Sequence, residues 1–171
     1  MEKATVNGKN GYALIVAIIA INLIAIFSLM AASVWETEIA RNNEQELIFR
    51  ANRYVRAIKK FRIKYPNNFL KDLKLLEKEK FIRKLYSDPV SDTGEWNYVF
   101  RNRRASNKTL LIVPFKLLKK YLKTFNLIGV ASSSVDESYM IYRGKNRYEE
   151  WAFYYGQNIN KDMPELKFIN N

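Results

Sequence analysis

Residues 12–35 read YALIVAIIAINLIAIFSLMAASVW, 24 residues without a charge, whose only polar members besides the amphipathic ends Tyr12 and Trp35 are Asn22, Ser28 and Ser33. An apolar run of about 18 residues or more is long enough to cross a bilayer as a helix, since a rise of about 1.5 Å per residue meets a hydrocarbon core of roughly 30 Å. A helix that is apolar on every side has no face to offer water, so a soluble domain seldom carries one. The stretch therefore predicts a transmembrane helix.

Downstream the helical pattern continues. Between Glu36 and Lys64 there is no proline or glycine, and apolar residues recur at Ile39, Leu47, Ile48, Ala51, Tyr54, Val55, Ile58 and Phe61. Spacings of three and four put these on one stripe. Joined to the span, they predict one helix over residues 12–64, on the order of 80 Å long. Apart from Arg41 its charges are sorted: Glu36, Glu38, Glu44 and Glu46 come first, then Arg50, Arg53, Arg56, Lys59, Lys60, Arg62 and Lys64 without an intervening acid. Each charge taken singly reads as solvated; the sorting hints at pairing between staggered copies. Tyr65-Pro66 ends the helix, because proline restricts the residue before it and cannot continue the hydrogen-bond ladder.

After the turn at Asn67-Asn68, residues 69–83 predict a short amphipathic helix, and Asp88-Pro89 with residues 91–94 read as loop. The period then changes to two. Residues 96–100, 109–113 and 127–132 predict strands around a basic turn at 101–107, and residues 138–142 and 148–155 predict a hairpin about Arg143-Gly144-Lys145-Asn146. Residues 115–125 place Phe115, Leu118, Tyr121, Leu122 and Phe125 on one side and four lysines on the other. Such a basic amphipathic helix suits an anionic membrane surface or packs on its own domain. The expected fold is α+β, a long N-terminal helix covering one face of a small antiparallel sheet. The tail from Gln157 onward yields no assignment.

Composition narrows function. The 171 residues hold no cysteine and no histidine, which removes thiolate chemistry, sulfur-ligated metals and the commonest general base. A net charge of +12 points to anionic partners. Ser132, Ser133 and Ser134 with Asp136 lack a histidine partner, so no catalytic site is expected. Arg101, Arg103, Arg104 and Lys108 form a candidate anion-binding cluster that makes DNA a candidate partner, without a recognised nucleic-acid motif. Asn22, polar within the span, is a candidate for hydrogen bonding to a neighbouring helix.

Ahead of the span lies MEKATVNGKNG, short and weakly basic through Lys3 and Lys9, ending in Gly11 and followed by the aromatic Tyr12. Ala31, Ala32 and Ser33 mimic the cleavage site of a secretory signal, but the helical pattern running on past Trp35 argues against one. A basic leader ending in glycine before an apolar helix resembles the class III signal of type IV pilins and type II secretion pseudopilins. The similarity continues through residues 44–54, Tyr65-Pro66 with Leu70 and Leu73, residues 85–89, 128–132 and 148–151, covering roughly residues 8–156. The resemblance implies a leader over residues 1–11, a helix over 12–64 with its transmembrane part at 12–35, and a periplasmic domain over 65–171. It implies cleavage by a prepilin peptidase between Gly11 and Tyr12, methylation of the new terminus, and a single-pass place in the bacterial inner membrane with the N-terminus cytoplasmic. Partners would be other pilin-like subunits and inner-membrane assembly proteins in a type II secretion or type IV pilus machine. Two departures stand out. Where the family usually has a glutamate, fifth after the cut, this chain has Val16, which suggests a minor or initiating subunit. Only Asp136 and Glu137 lie near the place where major pseudopilins hold calcium, too few oxygens for that ion, so no metal or cofactor is expected. The alternative is a single-span anchored basic periplasmic domain, uncut at Gly11, that binds an acidic partner or DNA.

Overall fold

A computed structural model describes residues 9–102, 109–122 and 125–169. The chain divides into two compact units, Met1–Ala40 and Arg41–Asn171. Helix α1 (Lys9–Lys64) runs through the boundary. In the first unit, residues 11–30 expose every side chain, as expected of a helix with no core of its own to bury. The helix is long and apolar enough to cross a membrane.

The second unit begins with the amphipathic part of α1. Leu47, Ala51, Tyr54, Ile58 and Phe61 are buried at spacings of four, three, four and three, the stripe read from the sequence. They pack on one face of a five-stranded sheet built from β1 (Trp96–Asn102), β2 (Leu110–Val113), β3 (Phe125–Ser132), β6 (Ala152–Tyr154) and β7 (Leu166–Phe168), in the order β6-β3-β1-β2-β7. The architecture is α+β, as expected. Trp96, Tyr98, Phe100, Val113, Leu127, Val130 and Phe153 face the helix. Strand alternation sends Val99, Leu110, Ile112, Ile128, Ala131 and Ala152 to the opposite face. That second face is covered too, by Met163 with Tyr142, Leu166 and Phe168 against it, where only one covered face was foreseen.

Strand β3 changes face parity at an irregularity: Val99 pairs with Gly129 and Phe100 with Leu127, leaving Ile128 as the extra residue. The bulge lets Leu127 and Val130, three apart, point to the same side. A Cβ on Gly129 would lie 1.9 Å from the Phe153 carbonyl oxygen of β6, so this pairing requires glycine.

Four expectations are corrected. The helix predicted over 69–83 is only α2 (Lys74–Lys78). It stops because Lys80 turns into the left-handed region at φ 57°, with Phe81 N donating to Leu76 O and Lys80 N to Glu77 O, a Schellman ending. The amphipathic segment 115–125 is a 3-10 turn (Phe115–Leu117) and one helical turn, α3 (Leu118–Tyr121), with Leu118 buried in the domain's own core. The hairpin is tighter than expected: β4 (Glu137–Tyr142) pairs with β5 (Lys145–Arg147), which takes in Lys145 and Asn146 of the expected turn. Arg143 (φ 52°) and Gly144 (φ 79°) alone make a two-residue turn of the mirror-image kind. Residues 148–155 therefore do not form its second strand; they form a 3-10 turn (Tyr148–Glu150) and β6, which belongs to the larger sheet. Finally, β7 pairs parallel to β2, so the sheet is not wholly antiparallel.

Candidate functional site

Gly11 and Tyr12, the expected processing pair, lie in helical backbone near the start of α1. Tyr12 is exposed, and a Cβ on Gly11 would meet nothing within 4 Å. Val16 is also exposed, one helical turn after Tyr12. Asn22 uses an amide N–H within its own helix, donating to the Ile18 carbonyl at 2.7 Å, and Ser28 Oγ donates likewise to Ile24 O at 2.8 Å. Such back-bonding satisfies polar donors inside an apolar span without a second chain. Residues 1–8 of the expected leader lie outside the described residues.

The most constrained polar group in the second unit is one the sequence treated as solvated. Glu44 is fully buried. Its Oε1 accepts from Tyr139 N (2.7 Å), Met140 N (3.2 Å) and Tyr148 OH (3.0 Å), while Oε2 is buried without a hydrogen-bond partner among the described residues. Helix α1 thus holds hairpin β4–β5 and the 3-10 turn after it through one carboxylate. Burial, with the bond to Glu44 and its negative charge, pushes the Tyr148 phenol well above its ordinary value. The signal was present in the pattern. Glu44 sits three residues before Leu47, on the apolar stripe itself, where a carboxylate needs partners from elsewhere in the chain. Glu46 pairs instead with Arg50 on the helix surface, at 2.8 Å.

A second anchor fixes the loop 85–90 to the same helix. Tyr54 OH donates to Tyr86 O and accepts from Tyr86 N, both at 2.8 Å, and Trp96 Nε1 donates to Tyr86 O at 2.8 Å. Burial pushes the Tyr54 phenol up to about 12. Arg50 adds a bond to Ser87 O at 3.0 Å.

The serine cluster is engaged in local structure. Ser132 Oγ donates to Asp88 Oδ2 (2.7 Å), Ser133 N donates to the same oxygen (3.1 Å), and Ser134 Oγ donates to Asp136 Oδ2 (2.8 Å). Ser133 Oγ donates to Glu95 O at 2.8 Å. Asp88 is buried, and desolvation raises its pKa despite these donors. The arrangement ties loop 88–95 to the end of β3.

Of the candidate anion-binding residues, Arg101 is half-buried in β1, its guanidinium 5.9 Å from the centre of the Tyr154 ring. Arg103, Arg104 and Lys108 lie outside the described residues. Among the described residues no three His, Cys, Asp or Glu side chains converge on a point that could hold a metal ion. Compared with protein-family models, curated proteins and solved structures, the chain matches none.

Proposed function

We propose that the protein is a pseudopilin-like structural subunit of a type II secretion or type IV pilus machine, anchored in a bacterial inner membrane and assembled through its N-terminal helix. The observation that carries this reading is α1. Its first part is apolar, with every side chain over residues 11–30 exposed, and its last part presents one buried stripe to a small α+β domain. A helix of this kind has two uses, crossing lipid and, once out of lipid, burying its apolar surface against like helices. The uncharged Gly11-Tyr12 junction and the weakly basic leader support cleavage there by a prepilin peptidase. Val16, with no carboxylate to pair with a neighbour's terminal ammonium, supports a minor or initiating role rather than the bulk of a filament. No catalytic chemistry is part of this reading.

Intact-mass and N-terminal measurement of the membrane-extracted protein tests it. The expected product begins at Tyr12 and carries one added methyl group. Recovery with Met1 intact would instead favour an unprocessed, anchored basic domain. A soluble product beginning near Ser33 would overturn both.

A further inference from the structure

Between residues 53–63 of α1 and the connection at 80–86 runs a cleft of about 630 Å³. Among the described residues six cations line it, Arg53, Arg56, Lys59, Lys60, Lys80 and Arg83, and no acidic residue does. All six are exposed, and among the described residues none makes an ion pair. A second recess of about 310 Å³ shares Arg53 and Arg56 and adds Gln45, Phe49 and Asn52. Together they form a track along α1 from Gln45 to Ile63, about 27 Å at the helical rise.

We propose that this track holds the phosphodiester backbone of a single-stranded nucleic acid. Like charges confined to one groove repel one another, and that repulsion is relieved when a linear polyanion lies along them. The track is too long for one isolated phosphate. It also carries rings: Phe49, half-exposed beneath the Arg53 guanidinium at 4.7 Å, and Tyr86 in the wall of the cleft. Cations following a backbone, with aromatic faces for unpaired bases, are what sequence-tolerant binding of single strands uses. Lys80 supplies a separate observation. It stands in a left-handed conformation that glycine adopts without strain, yet the residue there is a lysine that lines the groove. Arg101 is not among the lining residues, so this site differs from the cluster read in the sequence. The proposal goes beyond the assembly reading and does not depend on cleavage at Gly11.

The test is fluorescence anisotropy of an oligo-dT of about 15 nucleotides with the full chain in zwitterionic nanodiscs, across a salt titration. Log affinity should fall linearly with log salt. Arg56→Gln with Lys60→Gln should lower affinity at least ~10-fold and flatten the slope by about 1.4, roughly 0.7 per lost phosphate contact. Lys80→Gly, which relieves backbone strain, should flatten it by about 0.7 without unfolding the domain. Phe49→Ala should weaken binding with the slope unchanged. Lys116→Gln with Lys119→Gln removes the same charge elsewhere and should change neither quantity. Equal losses in that control pair overturn the proposal, as does a slope indifferent to Arg56 and Lys60. So does a duplex of the same length that binds as tightly, polyglutamate that competes as well as oligo-dT, or capture by phosphatidylglycerol vesicles without oligonucleotide binding.

Discussion

Residues 12–30 and residues 44–61 of α1 share a backbone conformation and differ in almost everything else. Leu23 in the first is half exposed; Leu47 in the second is wholly buried. The polar groups divide the same way. Asn22 finds an acceptor four residues back along its own helix, whereas Glu44 depends on donors 95 to 104 residues further along the chain. One helix thus carries a surface suited to lipid or like helices and a surface fitted to a single sheet, and what separates them is the period of the apolar residues.

The sharpest way to break this comparison is at its polar members. Glu44→Ala should destabilise the second unit by about 3–5 kcal/mol, because three donors lose their acceptor and two of them are backbone groups of β4. Hydrogen exchange should show the hairpin opening before the sheet does. Asn22→Ala should leave that unfolding transition unmoved. Next, Leu47→Ala should cost about 2–5 kcal/mol in chemical denaturation, while Leu23→Ala leaves the same midpoint in place. Equal shifts would mean that the two parts of the helix unfold as one body.

The smallest effect concerns a second buried carboxylate. Asp88, unlike Glu44, has donors on both oxygens, from Val90 N, Ser132 Oγ and Ser133 N. Its folded-state pKa lies above the ordinary 3.8, chiefly through desolvation. The stability it contributes is therefore complete below the unfolded value and lost as pH rises through the folded one. Asp88→Asn should cost about 1–2 kcal/mol, most at acidic pH, with the penalty shrinking as pH rises. A penalty that grows with pH would mean the carboxylate is stabilised as the anion.

Much of this architecture was legible. Pro66 ends α1 where steric restriction requires, and the alternation in 96–100, 109–113 and 127–132 places three strands to within about two residues of their observed bounds. Other features depend on partners distant in sequence. Lys145–Arg147 resembles turn composition until the left-handed pair Arg143-Gly144 shortens the loop. Leu166–Phe168 is too short and too mixed in character to signal a strand without β2 beside it. The buried state of Glu44 was visible only as a carboxylate on an apolar stripe. The basic groove is half legible: its helical cations form a run in sequence, but Lys80 and Arg83 join them only through the fold.

The parallel pairing of β7 with β2 bears on how the chain is made. Leu110 N donates to Glu165 O and Ile169 N to Ile112 O, so the outer side of β2 finds its hydrogen-bonding partners only in the last-synthesised part of the sheet. For roughly fifty residues of elongation after β2 leaves the ribosome, that margin stands open to any extended neighbour. A nascent chain stalled before Leu166 would carry an unguarded β2, which makes the emergence of β7 the step that closes this margin against clumping.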